Sequence, residues 1–323
     1  MTTALPAEKK PVAPSLGQRF QRLNESYFGL LLILPTALLL LVFLVYPIAY
    51  AISMSFHRLE LTVSPAQKWV GPANYGRILG DQTVRDSIAR TLGFAAMTVA
   101  ISVALSLTLA LVLNESFRGR KLVRVLILLP WAVAPVVNGV MWRYLFQSNY
   151  GLVNAVLARV GLISHYQVWL ENAQLALLIA AVATAWKGMP FETLILLATL
   201  QSIPESLFRA AKMDGAGVFA RFRYIILPHL RNTLIFVVLL ETIVSLQVFD
   251  LIFTLTRGGP GQGTVVLSYL VYINAFERLS LGPASAMAIL LTLLIMVLSA
   301  IGFVLMTRRG RRVGQTGSRA VGQ

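Results

Sequence analysis

The stretch SYFGLLLILPTALLLLVFLVYPIAYAISMSF, residues 26–56, decides the fold class, because it contains no Asp, Glu, Lys or Arg. A helix needs roughly 20 mostly apolar residues to cross a bilayer, and this run is longer than that. The chain as a whole has the same character. Of its 323 residues 57% are hydrophobic and only 13% are charged, and the mean hydropathy is +0.72. The sequence therefore predicts an all-α, polytopic membrane protein.

Five further apolar runs predict five more membrane-spanning helices, giving six in all. Residues 91–114 and 279–307 contain no charged side chain. The run 125–142 contains two prolines, and the runs at about 174–200 and 232–256 contain interior charges, so we expect these three helices to line a path. The six spans form one domain, residues 26–307, between an N-terminal tail, 1–25, and a C-terminal tail, 308–323. We find no internal repeat.

The distribution of basic residues predicts the orientation of the spans. Of the 28 Lys and Arg, eighteen fall in the tails and connections on one side and nine on the other. Short cytoplasmic loops carry the excess of positive charge, so both termini are expected in the cytoplasm of a bacterial cell, with the chain as a multi-pass protein of the inner membrane. The connections on the other side are rich in turn residues, and RGGPGQGT (257–264) predicts a tight, irregular loop.

Composition also excludes several kinds of chemistry. The chain has no Cys and only three scattered His, so it offers no thiol nucleophile and no spacing typical of a metal site. We find no phosphate-binding loop, no HExxH and no GxSxG. The net charge is +15, but the basic residues flank the apolar runs and do not form a stripe with interleaved aromatics. This distribution argues against nucleic-acid binding. We therefore expect this chain to have no catalytic site and no cofactor. Any energy source for its activity is expected to be a transmembrane gradient or a partner protein.

A basic, semi-amphipathic segment, FRAAKMDGAGVFARFRYIILPHLRN (208–232), separates the fourth and fifth spans. Ser202 and Glu205 match a capping box and predict a helix start, and Gly215 predicts its end. A second short helix from Val218 is expected to end at Pro228. Leu207, Ala210, Ala211 and Asp214 share one small, apolar face of the first helix. One interpretation is that the pair rests on lipid, but its small residues favour contact with another protein.

Ionisable side chains inside spans are costly and indicate function. In the fourth span Lys187 and Glu192 flank Gly188 and Pro190, which we expect to break the helix and allow the two charged groups to pair. In the fifth span Glu241 and Ser245 share a face, and the residues Gln247, Asp250 and Thr254 form a second polar stripe. For Asp250 we favour hydrogen bonding between helices, and for Glu241 we favour a role in lining the path.

The segment resembles the cytoplasmic loop of binding-protein-dependent ABC importer permeases. That loop follows the pattern Glu-Ala-Ala, three residues, Gly, nine residues, Ile, one residue, Leu-Pro. Here Ala210 and Ala211 precede Gly215 at the family spacing, Ile225 and Leu227-Pro228 complete the pattern, and Arg209 stands in place of the Glu. Similarity extends to YPIAYAISMSF (46–56), RVLILLPWAVAP (124–135) and FDLIFTLTRGGPG (249–261), and is strongest to the maltose and glycerol-phosphate branch.

The resemblance implies a function, partners and site residues. The loop (about 201–231) would be the coupling helix that enters a groove of an ATP-binding subunit. Its coupling residues would be Glu205, Arg209, Ala210, Ala211, Asp214, Gly215, Ala216 and Phe219. The family's sugar contacts correspond to Asn138, Thr184, Gly188, Phe191, Glu241 and Ser245, and we add Gln247 from the polar stripe of the fifth span.

The chain is accordingly predicted to be a non-enzymatic permease subunit of an ATP-driven importer for a sugar or oligosaccharide, forming half of its translocation pathway. Its partners would be a second, homologous permease, two ATP-binding subunits that hold ATP and Mg, and an extracytoplasmic solute-binding protein. The alternative is a secondary transporter driven by an ion gradient, with the intramembrane charges as a relay. That class typically shows inverted repeats.

Overall fold

The computed structural model describes residues 32–319 together with Tyr27, Gly29 and Leu30, and for residues 305–319 it describes the backbone alone. The predicted N-terminal tail, 1–25, and the last four residues of the C-terminal tail lie outside the described residues. The chain divides into two units, residues 1–53 and 54–323.

The described part of the first unit belongs to helix α1 (Leu32–Ser55). Its apolar side chains lie on all sides, with Leu38 53% and Phe43 74% exposed. A helix that is apolar all round suits lipid or another protein, not water. Near its middle the Tyr46 N–H donates to the Leu41 carbonyl, five residues back. This wide turn directly precedes Pro47, whose ring would otherwise clash with the carbonyl four residues earlier.

The second unit is also helical, apart from one small hairpin. Its elements are β1 (His57–Glu60), β2 (Ser64–Trp69), α2 (Ala73–Gly80), α3 (Gln82–Asn114), α4 (Arg120–Ala132), α5 (Pro135–Leu145), α6 (Leu152–Arg159), α7 (Ala173–Gln201), α8 (Glu205–Met213), α9 (Val218–Leu246), α10 (Asp250–Leu255), α11 (Leu267–Tyr272) and α12 (Leu281–Arg319). Helices α1, α3, α7, α9 and α12 are long and apolar enough to cross a membrane, and α4 with α5 makes a sixth span if the bent pair counts as one. The all-α, polytopic class is confirmed.

The third predicted span, 125–142, is sharply bent. Helices α4 and α5 meet at 100°, across Val133 and Ala134, which have extended backbones. The residue before a proline avoids helical dihedrals, and Pro135 then begins α5, where its missing N–H costs nothing.

The fourth span differs from the expectation, because α7 continues without a break through Gly188 and Pro190. In a continuous helix, side chains five residues apart point in directions about 140° apart. The predicted pairing of Lys187 with Glu192 is therefore wrong, and Glu192 instead accepts a hydrogen bond from Ser102 on α3.

The fifth span was predicted wrongly at both ends. Helix α9 begins at Val218, fourteen residues before the predicted start, and it ends at Leu246. The short helix expected to end at Pro228 is instead the first part of α9, which continues through Pro228 because a wide turn precedes the proline. There the Leu227 N–H donates to the Phe222 carbonyl, which relieves the clash with the proline ring in the same way as in α1.

The second unit is held together mainly by α3 and α7. The α3 face towards the interior contains five fully buried small polar residues, Ser87, Thr91, Thr98, Ser102 and Ser106, together with fully buried Phe94 and Ala110. On α7, Ala176, Ala180 and Ala183 are equally buried. Small residues let helix backbones approach closely, which matters in lipid, where no hydrophobic force drives helices together. Apolar clusters around Phe94 and around Leu196 fill the remaining space.

The connections contain more structure than their turn residues predicted. Strands β1 and β2 form an antiparallel hairpin, with His57 opposite Trp69, and Asn74 on α2 donates to the Ser55 and His57 carbonyls. The loop at 257–264 is irregular as predicted, with left-handed dihedrals at Arg257 and Gln262 and at two of its glycines.

Candidate functional site: a polar cavity and an exposed helix

A polar cavity of about 160 Å³ lies where α5 and α7 meet the gap between α9 and α10. Its polar lining consists of Asn138, Thr184, Lys187, Gln247 and Asp250, and its remaining lining consists of Pro135, Val244, Val248, Phe249 and Leu251. Three of the seven residues predicted for the substrate path, Asn138, Thr184 and Gln247, therefore share this cavity.

The cavity exists because the chain leaves its helical path between α9 and α10. Helix α9 ends at Leu246, and α10 begins at Asp250. A neighbouring element supplies a hydrogen bond to the backbone of this gap, because the Ser268 hydroxyl on α11 donates to the Val248 carbonyl. Irregular backbone at membrane depth is tolerated where it lines a cavity or is buried in protein.

Asn138 on α5 presents an unused acceptor at this cavity. Its side chain is 2% exposed, and its Nδ2 donates to the Ala183 carbonyl over 3.1 Å. The Oδ1 has no hydrogen-bond partner within the described part of the chain. Buried amides normally satisfy both ends, so this oxygen leaves one acceptor unmet in the wall of the cavity.

Glu241 lies in the interior of the bundle, beside Gly188. Its side chain is 2% exposed, and a Cβ added at Gly188 would lie 3.0 Å from Glu241 Oε2. The glycine therefore leaves room for the carboxyl group. Ser245 is buried and uses its hydroxyl on its own helix, donating to the Glu241 carbonyl over 2.7 Å, and it does not line the cavity.

Phe191 forms an aromatic platform with Trp131. The two rings stack with centroids 5.9 Å apart at an interplanar angle of 12°, and Phe191 is 39% exposed. Phe191 does not line the cavity. A flat, accessible aromatic surface of this kind suits stacking against a pyranose ring.

Lys187 and Asp250 were not among the predicted path residues, yet both line the cavity. Neither makes an ion pair with another residue that the structure describes. The sequence did contain a signal, because both are charged residues inside predicted spans. For Asp250 the preferred interpretation was hydrogen bonding between helices, which the cavity does not support.

The second candidate site is the exposed helix α8 with its C-terminal turn. The helix begins at Glu205, as predicted, but the expected capping box is absent. Pro204 is the residue before the helix and makes no side-chain cap, and Ser202 bonds instead to Thr199 and His229. Glu205 and Arg209 form an exposed ion pair at 3.5 Å, a contact worth little in stability.

The end of α8 follows the prediction at Gly215. Gly215 has a φ of +76°, its N–H donates to the Lys212 carbonyl, and the Ala216 N–H donates to the Ala211 carbonyl. These two bonds form a Schellman motif, in which the left-handed residue is usually glycine. The turn fixes the angle between α8 and α9.

The apolar side chains around this turn are not covered by other residues that the structure describes. Val218 is 76% exposed, Phe219 79% and Met213 84%. Leu207, Ala210 and Asp214 also point outwards, whereas Phe208 is partly buried and contacts the apolar cluster around Leu196. An exposed apolar surface of this kind marks a contact with a protein or a membrane.

Comparison with known proteins identifies the family to which this architecture corresponds. The sequence profile of the "binding-protein-dependent transport system inner membrane component" family matches residues 96–315. The trehalose/maltose transport system permease protein MalF of Thermococcus litoralis is 38% identical over 273 residues, covering 84% of this chain and 91% of that protein. The sulfoquinovosyl glycerol transport system permease protein SmoG of Agrobacterium fabrum is 33% identical over 283 residues, covering 88% and 91%.

A solved structure has a similar fold. A crystal structure of a bacterial ABC transporter involved in the import of the acidic polysaccharide alginate superposes with a TM-score of 0.78, over 90% of this chain and 99% of that one, at 22% identity. At this identity the likeness concerns the fold.

Proposed function

This chain belongs to the family of binding-protein-dependent transport system inner membrane components, and we propose that it forms half of the translocation pathway of an ATP-driven importer for a sugar or oligosaccharide. The chain is a permease and a non-catalytic membrane subunit, not an ion-gradient-driven secondary transporter. ATP and Mg bind to partner subunits, which hydrolyse the nucleotide.

The observation that carries this proposal is the uncovered apolar surface of α8 and the first turn of α9. A membrane subunit without its own nucleotide site needs a rigid contact through which a partner's motion reaches the spans. The Schellman turn at Gly215 supplies rigidity, and exposed Met213, Val218 and Phe219 supply contact area. This surface docks into a groove of an ATP-binding subunit, with Arg209 where the family pattern has Glu.

A sugar is the substrate that the cavity and the relatives support best. The name of one relative refers to trehalose and maltose, and the name of the other refers to sulfoquinovosyl glycerol. The cavity offers an amide, a hydroxyl, a carboxylate and an ammonium group within one small space. Such groups hydrogen-bond sugar hydroxyls, and the Trp131–Phe191 stack offers an aromatic face elsewhere on the chain.

The remaining partners follow from the same architecture. A second, homologous permease completes the pathway opposite the cavity, and two ATP-binding subunits dock on the cytoplasmic side. An extracytoplasmic solute-binding protein delivers the sugar. Both termini lie in the cytoplasm, as the excess of Lys and Arg on that side indicates.

Affinity purification of the tagged chain in mild detergent, followed by an ATPase assay in nanodiscs, tests this proposal. We expect a second permease and an ATP-binding subunit to purify with the chain. One sugar-loaded binding protein from a panel should stimulate ATP hydrolysis, which would also identify the sugar. If the chain purifies alone and no loaded binding protein stimulates hydrolysis, the proposal is wrong.

A further inference from the structure

A basic cavity of about 580 Å³ lies at the connection between α3 and α4, outside both candidate sites. Its lining includes three cationic side chains, Arg120, Lys121 and Arg124, and no acidic one. In the proposed topology this connection lies on the cytoplasmic side. Because α3 is long enough to span the membrane and ends at Asn114, the cavity lies near the level of the lipid headgroups.

The two arginines are held in place by neutral groups at the ends of two helices. In the amide orientation that satisfies its hydrogen bonds, Gln201 at the end of α7 accepts from Nη2 of Arg120 and from Nη2 of Arg124, each over 3.1 Å. Arg124 Nη2 also donates to the Leu113 carbonyl near the end of α3 over 3.4 Å. These contacts order the guanidinium groups in advance, which lowers the entropy cost of binding a ligand.

The positive charges of the cavity have no counter-charge in the described part of the chain. None of the ion pairs that the structure describes involves Arg120, Lys121 or Arg124. Glu115, the nearest acid along the chain, is exposed and lines a neighbouring cavity instead. Burying a cation without a partner is costly, so the cavity favours an anion. The forked donors of arginine match the geometry of phosphate oxygens.

An exposed apolar stripe on α4 begins where the cationic cluster ends. The residues Leu122, Val125, Leu126 and Leu129 recur at three- and four-residue spacing and therefore share one side of the helix. Each of them is more than half exposed. Lys121 lies one turn before Val125. A cationic cavity that continues into an apolar stripe matches a ligand with an anionic head and an acyl chain, whereas a free phosphate ion would make no use of the stripe.

We propose that this cavity binds the headgroup of an anionic phospholipid, whose acyl chain lies along the exposed stripe of α4. Arg120 and Arg124 bind the phosphate, and Lys121 adds positive charge at the rim. Anionic lipids give the cytoplasmic leaflet a negative surface charge, and basic pockets at helix ends on that side suit their headgroups. The inference goes beyond the proposed function, because lipid binding requires neither the sugar nor ATP.

Native mass spectrometry of the complex purified through the tagged chain tests this inference. The complex is stripped of lipid in detergent and titrated with phosphatidylglycerol or with phosphatidylcholine of the same acyl chains. We expect the tightest site to prefer phosphatidylglycerol about tenfold. Equal affinity for the two lipids would overturn the inference. A complex that shows this preference but no ATP-driven uptake would support the lipid site and contradict the proposed function.

Two variants that each remove one positive charge separate the cavity from the general charge of the connection. Lys121 is exposed and makes no ion pair with another described residue, so Lys121→Gln should fold normally and lower the affinity for phosphatidylglycerol about fivefold. Arg118 is also exposed but does not line the cavity, so Arg118→Gln should lower the affinity less than about twofold. Equal losses in the two variants would show that no specific site exists.

Two further measurements distinguish the lipid from other anions. Leu126→Asn, in the apolar stripe, should also weaken the binding of phosphatidylglycerol, and inorganic phosphate at millimolar concentration should not displace the lipid. Displacement by phosphate would assign the cavity to free phosphate and overturn the inference. If phosphatidylglycerol does not bind, and Lys121→Gln instead lowers the recovery of a partner subunit, the cavity faces an acidic protein surface and the inference is wrong.

Discussion

Gly188 shows how one missing side chain shapes the candidate pathway, because the Glu241 carboxyl group lies against it. In Gly188→Ala the new Cβ would lie 3.0 Å from Glu241 Oε2, so the carboxyl group must yield by a few tenths of an ångström. We expect uptake to fall about tenfold, since catalytic and transport geometries tolerate little displacement, while insertion and co-purification stay normal. Uptake of labelled sugar into proteoliposomes measures the effect.

Gly93 on α3 provides the matched control for this substitution. It also lies within a membrane-spanning helix, but a Cβ added there meets nothing within 4 Å. Gly93→Ala should therefore transport like the wild type. Equal losses in the two variants would show that α-helical glycines matter in general, and would remove the specific role of Gly188.

Asp250 is a second residue whose role the cavity predicts. Asp250→Asn keeps the shape of the side chain and removes its charge, so it weakens a hydrogen bond to a sugar hydroxyl. We expect maximal uptake to fall about fivefold, equivalent to roughly 1 kcal/mol. Asp86→Asn, which removes an exposed carboxylate that contacts only Gln82 and Arg90 of the same helix among the described residues, should leave uptake unchanged. Unchanged uptake by Asp250→Asn would return Asp250 to a structural role.

Among the elements, α8 with its glycine turn makes the strongest prediction. Gly215 has a φ of +76°, a region that costs other residues roughly 1–2 kcal/mol. Gly215→Glu should strain the turn and place a charge at the docking surface. We expect a normally inserted protein that no longer supports uptake and retains less ATP-binding subunit on purification.

A substitution at Gly161 separates the effect of backbone strain at a left-handed glycine from the effect of losing contact with the ATP-binding subunit. It has the same φ of +76°, and a Cβ there also meets nothing within 4 Å, but it lies in the connection after α6, far along the chain from α8. Gly161→Glu should preserve uptake. Normal transport by Gly215→Glu would contradict the coupling role of α8.

The elements also show which features the sequence could predict. The start of α8 near Pro204 and its end at Gly215 follow from local rules and were predicted. The same kind of local rule failed at Pro190, because packing of α7 along α3 keeps the helix continuous. The gap between α9 and α10 contains neither Gly nor Pro, only Gln247, Val248 and Phe249. The cavity that depends on this gap could therefore not be predicted from the sequence.

At the scale of the whole molecule, the orientation in the membrane is directly testable, since the chain has no native Cys. Val63 in the hairpin loop is 74% exposed, and Ser116 in the connection between α3 and α4 is also exposed and lies outside the docking surface. In spheroplasts, a membrane-impermeant maleimide should label Val63→Cys, and should label Ser116→Cys only after permeabilisation. Labelling in the opposite order would invert the proposed topology.

The membrane-spanning class, the family and the bounds of α8 were all accessible from the sequence, because hydropathy and the residue pattern up to Gly215 are properties of contiguous residues. The hydrogen bond from Ser102 to Glu192 was not, because it joins α3 and α7, which are distant along the chain. Side chains that meet across two helices leave no local pattern.

Reconstituted transport distinguishes sugar uptake coupled to a partner's ATP cycle from uptake coupled to an ion gradient. The purified complex, with its binding protein and labelled sugar outside, is placed in proteoliposomes with either ATP inside or an imposed proton or sodium gradient. We predict accumulation of sugar with ATP alone, and its loss in Gly215→Glu. Accumulation driven by the ion gradient without ATP would show that this chain does not depend on a partner's ATP cycle.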